Sequence, residues 1–120
     1  MTDEEFEQLV RESLTTLPQK FKDVLENVEV VIEDEPSEEQ QREMHLRSSM
    51  SLFGLYQGIP LTKRRNYTNV LPDKITIFKL PIENASPDEY AVKEQVRRTV
   101  LHEIGHYFGM SDMELRKLKY

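Results

Sequence analysis

The stretch Ser86-Pro-Asp-Glu-Tyr-Ala-Val-Lys-Glu-Gln-Val-Arg-Arg-Thr-Val-Leu-His-Glu-Ile-Gly-His-Tyr-Phe-Gly109 decides the fold, because it predicts one long helix with marked ends. Ser86 is a favoured N-cap residue, and Pro87 and Glu89 follow at the first and third helical positions. Gly109 suits a left-handed C-cap, so the helix should end near Phe108. Apolar residues form one ridge along it, at a spacing of four: Val92, Val96, Val100 and Ile104.

Two further helices are indicated at the ends of the chain. Near the N-terminus, acidic residues precede a run of apolar residues at helical spacing, which Pro18 should end: Phe6, Leu9, Val10, Leu14 and Leu17. A short additional turn is expected over residues 21–25. After Gly109, the sequence Ser111-Asp-Met-Glu114 is a second capping box, and it predicts a short C-terminal helix.

Strand patterns lie between these helices. Residues 28–33 are rich in β-branched side chains, residues 52–61 read as a strand with a Gly-Ile-Pro turn, and residues 74–80 alternate until Pro81 should end them. The segment 34–51 is polar and is interpreted as a peripheral helix or loop. The order of elements predicts a two-layer α+β fold, in which helices cover a small mixed sheet.

Composition limits the class of protein. The 120 residues (14.2 kDa) predict a single domain over residues 1–120, and no apolar run approaches the ~18 residues that span a membrane. The N-terminus is acidic and lacks the pattern of a secretory signal, so we expect a cytoplasmic protein. A net charge of −6 argues against nucleic acid as a partner. The chain has no Cys, so any metal must be held by His and carboxylate groups.

The long helix carries the residues with chemical potential. His102 and His106 lie four residues apart, so both imidazoles project from one helical face and can bind a single Zn²⁺. Asp112 can supply a third ligand after the turn at Gly109, which leaves a fourth position for water. Glu103 is placed to accept a proton from that water and deliver it to a leaving amine. The pattern therefore predicts amide hydrolysis.

At these residues the sequence resembles the zincin-like metallopeptidases of the HExxHxxGxxD group. The stretches Leu52-Phe-Gly-Leu-Tyr-Gln-Gly58 and Leu71-Pro-Asp-Lys-Ile-Thr-Ile-Phe78 also resemble the small bacterial members often called minimal metalloproteases. The resemblance implies a compact α+β fold, zinc on His102, His106 and Asp112, and Glu103 as general base. It also implies a peptide or an unfolded protein segment as substrate.

Several alternatives stay open at the level of the sequence. Asp112 occupies a first helical turn, where an acidic residue is favoured for structural reasons alone. The protein can instead be a metal-binding interaction module with little or no proteolytic turnover. Nothing selects an oxyanion-stabilising residue among Tyr56, Tyr67, Tyr107 and Tyr120, and the oligomeric state is undecided. The strand at the open edge of the sheet, where a peptide can add, is either 52–57 or 74–80.

Overall fold

The computed structural model describes residues 1–47, 53–58 and 73–117, which form six helices and three strands. In chain order the elements are α1 (Asp3–Thr15), α2 (Gln19–Leu25), β1 (Val28–Glu33), α3 (Glu38–Arg47), β2 (Gly54–Gln57), β3 (Asp73–Phe78), α4 (Lys79–Ala85), α5 (Glu89–Tyr107) and α6 (Asp112–Lys117). The predicted strand over 52–61 is confirmed at β2, whereas residue 52 and residues 59–61, which include the predicted turn, lie outside the described residues.

The three strands form one mixed sheet in the order β1-β3-β2. β1 pairs with β3 in parallel, from Val28 opposite Asp73 to Glu33 opposite Phe78. β2 pairs with β3 antiparallel, with Gly54 opposite Ile77. This arrangement confirms the α+β fold with a small mixed sheet, and it places β3 in the centre.

The main core lies on the sheet face that α1 and α5 cover. Because side chains alternate along a strand, Ile75 and Ile77 of β3 point to this face together with Tyr56 of β2. The helices add their own apolar residues to the same cluster: Phe6, Leu9, Val10, Val92, Val96, Val100 and Ile104. On the opposite face, a smaller cluster joins Met44 of α3 to Leu55 and Phe78.

Helix α4 corrects the prediction of a strand that runs to Leu80. The strand ends at Phe78, and Pro81 lies in the first turn of the helix that follows. Proline is tolerated there because the first N–H groups of a helix have no partner within the helix. Pro81 is therefore compatible with the end of a strand and equally with a first helical turn, and the structure shows the second.

The two ends of α5 were predicted with different success. Its N-cap is Asp88, whose side chain accepts a hydrogen bond from the Ala91 amide at 2.8 Å. The prediction of Ser86 as the N-cap was wrong, because Ser86 is the C-cap of α4. At the C-terminus, Gly109 adopts a φ of 82°. The Met110 amide donates to the Gly105 carbonyl at 3.0 Å, which closes the left-handed cap that the glycine predicted.

Helix α6 returns against α5 immediately after this turn. Ser111 and Glu114 exchange hydrogen bonds of 3.2 Å in each direction, so the second capping box is confirmed. Gly105 permits the contact between the helices, because a Cβ at this position would overlap the Leu115 side chain. In the described part of the chain, no helix is long and apolar enough to cross a bilayer. The cytoplasmic location stays a prediction.

Candidate metal centre

The C-terminal half of α5 is buried on every side. Each residue from Thr99 to Tyr107 is buried, although the segment contains two histidines and a glutamate. His102 is 8% exposed, Glu103 is 1% exposed and His106 is 6% exposed. Burial of ionisable groups is costly unless partners stabilise them, so such clusters are concentrated at functional sites.

These three side chains form one compact donor group. The rings of His102 and His106 have their centroids 4.8 Å apart, with an interplanar angle of 77°. The potential ligand atoms of His102, Glu103 and His106 all lie within 4.8 Å of one another. Imidazole nitrogen and carboxylate oxygen are donors that suit zinc, so the residues present fit a divalent metal of this type.

Glu103 connects this group to the edge of the sheet. Its Oε1 accepts a hydrogen bond of 2.6 Å from the backbone N–H of Tyr56 and lies 3.2 Å from His106 Nδ1. Adjacent residues of a strand turn their backbone groups to opposite sides, and the Phe78 amide donates to the Phe53 carbonyl at 3.0 Å. In this register the backbone N–H of Tyr56 points away from β3. The Glu103 carboxylate, which accepts a hydrogen bond from it, therefore lies at the outer edge of β2.

Close packing between α5 and β2 makes this reach possible. A Cβ at Gly54 would overlap Cγ2 of Thr99 and would come within 3.0 Å of the Thr76 carbonyl oxygen. The Thr99 hydroxyl accepts a hydrogen bond of 3.2 Å from Gln95 Nε2, one turn earlier in α5. Gly54 therefore keeps the helix near enough to the strand for the Glu103 carboxylate to bond to its backbone.

The structure brings together three of the four residues that the sequence singled out. His102, Glu103 and His106 share one helical turn. Asp112 is the first residue of α6, directly after the turn that reverses the chain, but its side chain lies outside the described part of the structure. Its role as a third ligand stays a prediction.

The tyrosine candidates separate into two groups. Tyr56 and Tyr107 pack edge to face in the core, with ring centroids 6.1 Å apart, whereas Tyr67 and Tyr120 lie outside the described residues. Both described rings are therefore part of the core. Sequence reasoning missed the backbone N–H of Tyr56, although a glycine within a strand, here Gly54, is a signal of close approach by another segment.

The strand order distinguishes the two segments, 52–57 and 74–80, that could form the open edge of the described sheet. β3, which contains most of 74–80, is central, and β2 is at the edge next to the donor group.

Comparison with known proteins adds an independent finding: a family model described as zincin-like metallopeptidase matches residues 25–120. No curated protein matches the chain.

Proposed function

Because the chain belongs to the zincin-like metallopeptidase family, we propose that it is a zinc-dependent peptidase that hydrolyses bonds in a peptide or an unfolded protein segment. The observation that carries this proposal is the buried group of His102, Glu103 and His106 in one turn of α5, against an edge strand. We also propose that residues 1–120 act as a single domain.

His102 and His106 would hold the metal, and Asp112 would complete the ligand set. When bound, zinc supplies a Lewis acid that polarises a peptide carbonyl and lowers the pKa of a nearby water. The contact between His106 Nδ1 and Glu103 Oε1, at 3.2 Å, favours the tautomer in which Nδ1 carries the proton and Nε2 keeps its lone pair. Glu103 would thereby help to orient a ligand.

Glu103 would also be the general base. Its Oε1 is engaged by Tyr56 and His106, whereas no hydrogen bond of the described residues engages Oε2. Oε2 would take a proton from the attacking water while the water oxygen bonds to the carbonyl carbon. The same proton would pass to the leaving nitrogen when the C–N bond breaks. The bonds at Oε1 fix the carboxylate for both steps.

The substrate would lie along β2. Gly54 has the same orientation as Tyr56 in the alternation, so its backbone groups also face the outer edge. An extended peptide would pair with the outward-facing backbone groups that Glu103 leaves available at this edge, beside the point where Glu103 holds the Tyr56 N–H. The edge strand and the proposed base would thus position the scissile bond together.

A second candidate is a metal-binding interaction module with little turnover. The short hydrogen bond from the Tyr56 N–H to Glu103 Oε1, at 2.6 Å, favours it, because this bond gives the carboxylate a structural role in holding α5 against β2. The two candidates share the metal site and differ only in the rate of hydrolysis.

The test is hydrolysis of a peptide library by the zinc-loaded protein, followed by mass spectrometry. We expect cleavage that is lost on chelation and lost in Glu103→Gln. Glu89→Gln is the matched control, because Glu89 is an exposed residue of the same helix. Cleavage that survives both chelation and Glu103→Gln would contradict the peptidase mechanism, and a zinc-loaded protein that cleaves nothing would favour the interaction module.

A further inference from the structure

A groove of about 720 Å³ lies between α1 and β1, away from the candidate metal centre. Its apolar wall combines side chains from both elements: Val10, Leu14, Val30 and Ile32. Its volume is within the range of sites that bind small ligands or short peptide segments. A function for the groove requires a ligand that fits its shape and charge. The adjacent strand, β1, indicates the shape and the charge of that ligand.

In the sheet formed by the described residues, β1 is the second edge and pairs with a strand on one side only. Its six residues, Val28–Glu33, pair with β3, and no hydrogen bond of the described residues engages its outer side. Because backbone groups alternate along a strand, half of the N–H and C=O groups of β1 face outward. An unprotected edge of this kind can accept an added strand.

The charges around the groove are predominantly acidic, and its bases are already paired. Arg11 Nη2 lies 2.6 Å from Glu7, and Lys79 Nζ lies 2.6 Å from Asp3. Further acidic side chains on or beside the strand have no ion-pair partner among the described residues: Glu29, Glu33 and Asp34. Lys74 of β3 lies beside Glu29 in the register, and Asp34 interacts electrostatically with Lys79. The acidic side chains still outnumber the basic ones, so the net charge at this edge is negative and favours a basic ligand.

Side-chain alternation along β1 specifies the pattern of that ligand. Val30 and Ile32 point to the groove and pack against the core, whereas Glu29 and Glu33 point to the opposite face. We infer that the groove and the β1 edge bind an extended segment of another protein in which apolar and basic residues alternate. The apolar residues would enter the groove, and the basic residues would lie across from the two glutamates.

A second copy of the chain is a poorer occupant. Antiparallel pairing of two β1 strands about Val31 would place Glu29 of one copy opposite Glu33 of the other, and like charges directly opposite are destabilising. The inference is independent of the proposed peptidase activity, because the residues that line the groove include none of the candidate metal centre. The groove can bind a segment whether or not the metal centre is active.

The probe is the fluorescein-labelled peptide acetyl-Lys-Val-Lys-Val-Lys-Val-Lys-amide, titrated with the full chain in a fluorescence anisotropy assay. We expect saturable binding that weakens at least about tenfold in the Glu29→Lys/Glu33→Lys variant. Glu39→Lys/Glu89→Lys is the matched control, since it changes the net charge equally at exposed positions on α3 and α5. Its affinity should stay within about twofold of the wild type.

A second peptide separates strand addition from general charge attraction. The same peptide with Pro in place of its central Val keeps the charge but loses a backbone N–H, and we expect binding at least about tenfold weaker. Equal binding of the two peptides, or an equal loss in the two double variants, would overturn the inference. Self-association through β1 that excludes the peptide would overturn it as well.

Amide hydrogen exchange, followed by NMR, supplies a readout that does not depend on charge. The outward-facing amides of β1 should exchange rapidly in the free protein and become protected when the Lys-Val peptide binds. Protection should rise at alternate positions only, because the other amides already bond to β3. Peptide binding without this alternating change in β1 would contradict strand addition.

Discussion

The two edges of the sheet have opposite surroundings. At β2, α5 lies close to the strand, and Glu103 bonds to the outward-facing N–H of Tyr56. At β1, no described segment bonds to the outer side, and a groove with acidic side chains around it follows the strand. Three buried ionisable residues, His102, Glu103 and His106, therefore lie beside one edge, whereas the other edge is unpaired among the residues that the structure describes.

This difference separates two ways in which an edge strand can contribute to function. β2 supplies a backbone donor that fixes a side chain of the proposed catalytic site, so its edge is part of the chemistry. β1 has outward-facing N–H and C=O groups at alternate residues. It also has two glutamates, the exposed Glu29 and the half-exposed Glu33, and these features suit the binding of another segment. Four predictions, in order of decreasing effect, test the comparison.

Substitution of Glu103 should separate the chemical role of the β2 edge from its structural role. Both Glu103→Gln and Glu103→Ala should lower the rate of peptide hydrolysis by about 10²–10⁴-fold, because neither side chain can act as a base. Only Glu103→Ala leaves the Tyr56 N–H without its acceptor, at a cost of about 1–3 kcal/mol in unfolding free energy. Hydrolysis assays and urea unfolding would measure the two effects, and equal stability of both variants would contradict the structural role.

Proline substitutions should show that β1 is paired on one side. Adjacent residues alternate, so only one of Val30 and Val31 donates its N–H to β3. Proline at that position should lower the free energy of unfolding by about 3 kcal/mol or more. Proline at the other position removes no hydrogen bond to β3, so it should lower the free energy of unfolding considerably less. Equal unfolding free energies of Val30→Pro and Val31→Pro would contradict an open edge.

Enlargement of Gly54 should push α5 away from β2. In Gly54→Ala the new Cβ would overlap the Thr99 methyl, and we expect a destabilisation of about 1–3 kcal/mol. Removal of that methyl in Gly54→Ala/Thr99→Ser should recover part of the loss, which urea unfolding of both single variants and the double variant would reveal. Strict additivity of the two substitutions would show that this contact does not set the helix–strand distance.

The pair of Lys79 and Asp3 beside the β1 groove should have the smallest effect. The hydrogen bond from Lys79 to Asp3 raises the pKa of Lys79 above its usual value of 10.5. A raised pKa in the folded state means that the stabilisation is present below that usual value and is lost as the pH rises through the folded-state pKa. Thermal unfolding at alkaline pH should therefore be less pH-dependent in Asp3→Asn than in the control Glu4→Gln. An identical pH dependence would contradict this assignment.

The sequence predicted the site better than its surroundings, for a physical reason. His102, Glu103 and His106 share one helical turn, so their proximity follows from helix geometry alone. The C-terminal turn was also local, because Gly109 and the Ser111–Glu114 capping box act within a few residues. Local rules are sufficient for these features.

Contacts between residues that are distant in the sequence could not be predicted from local patterns. Glu103 and Tyr56 are 47 positions apart, and their bond depends on which side of β2 the Tyr56 N–H faces. The strand order β1-β3-β2 decides that orientation, and no local pattern encodes it. The α1–β1 groove was missed for the same reason, and α4 was missed because Pro81 is compatible with both a strand end and a first helical turn.

Zinc binding by histidine variants tests the central claim most directly. The chain has three histidines, and His45 on α3 is the matched control for the pair on α5. Metal analysis and competition titration should show equimolar zinc in the wild type and in His45→Ala. Affinity should fall by about 100-fold or more in His102→Ala and in His106→Ala. Undiminished zinc affinity in both α5 variants, or an equal loss in His45→Ala, would contradict the metal centre.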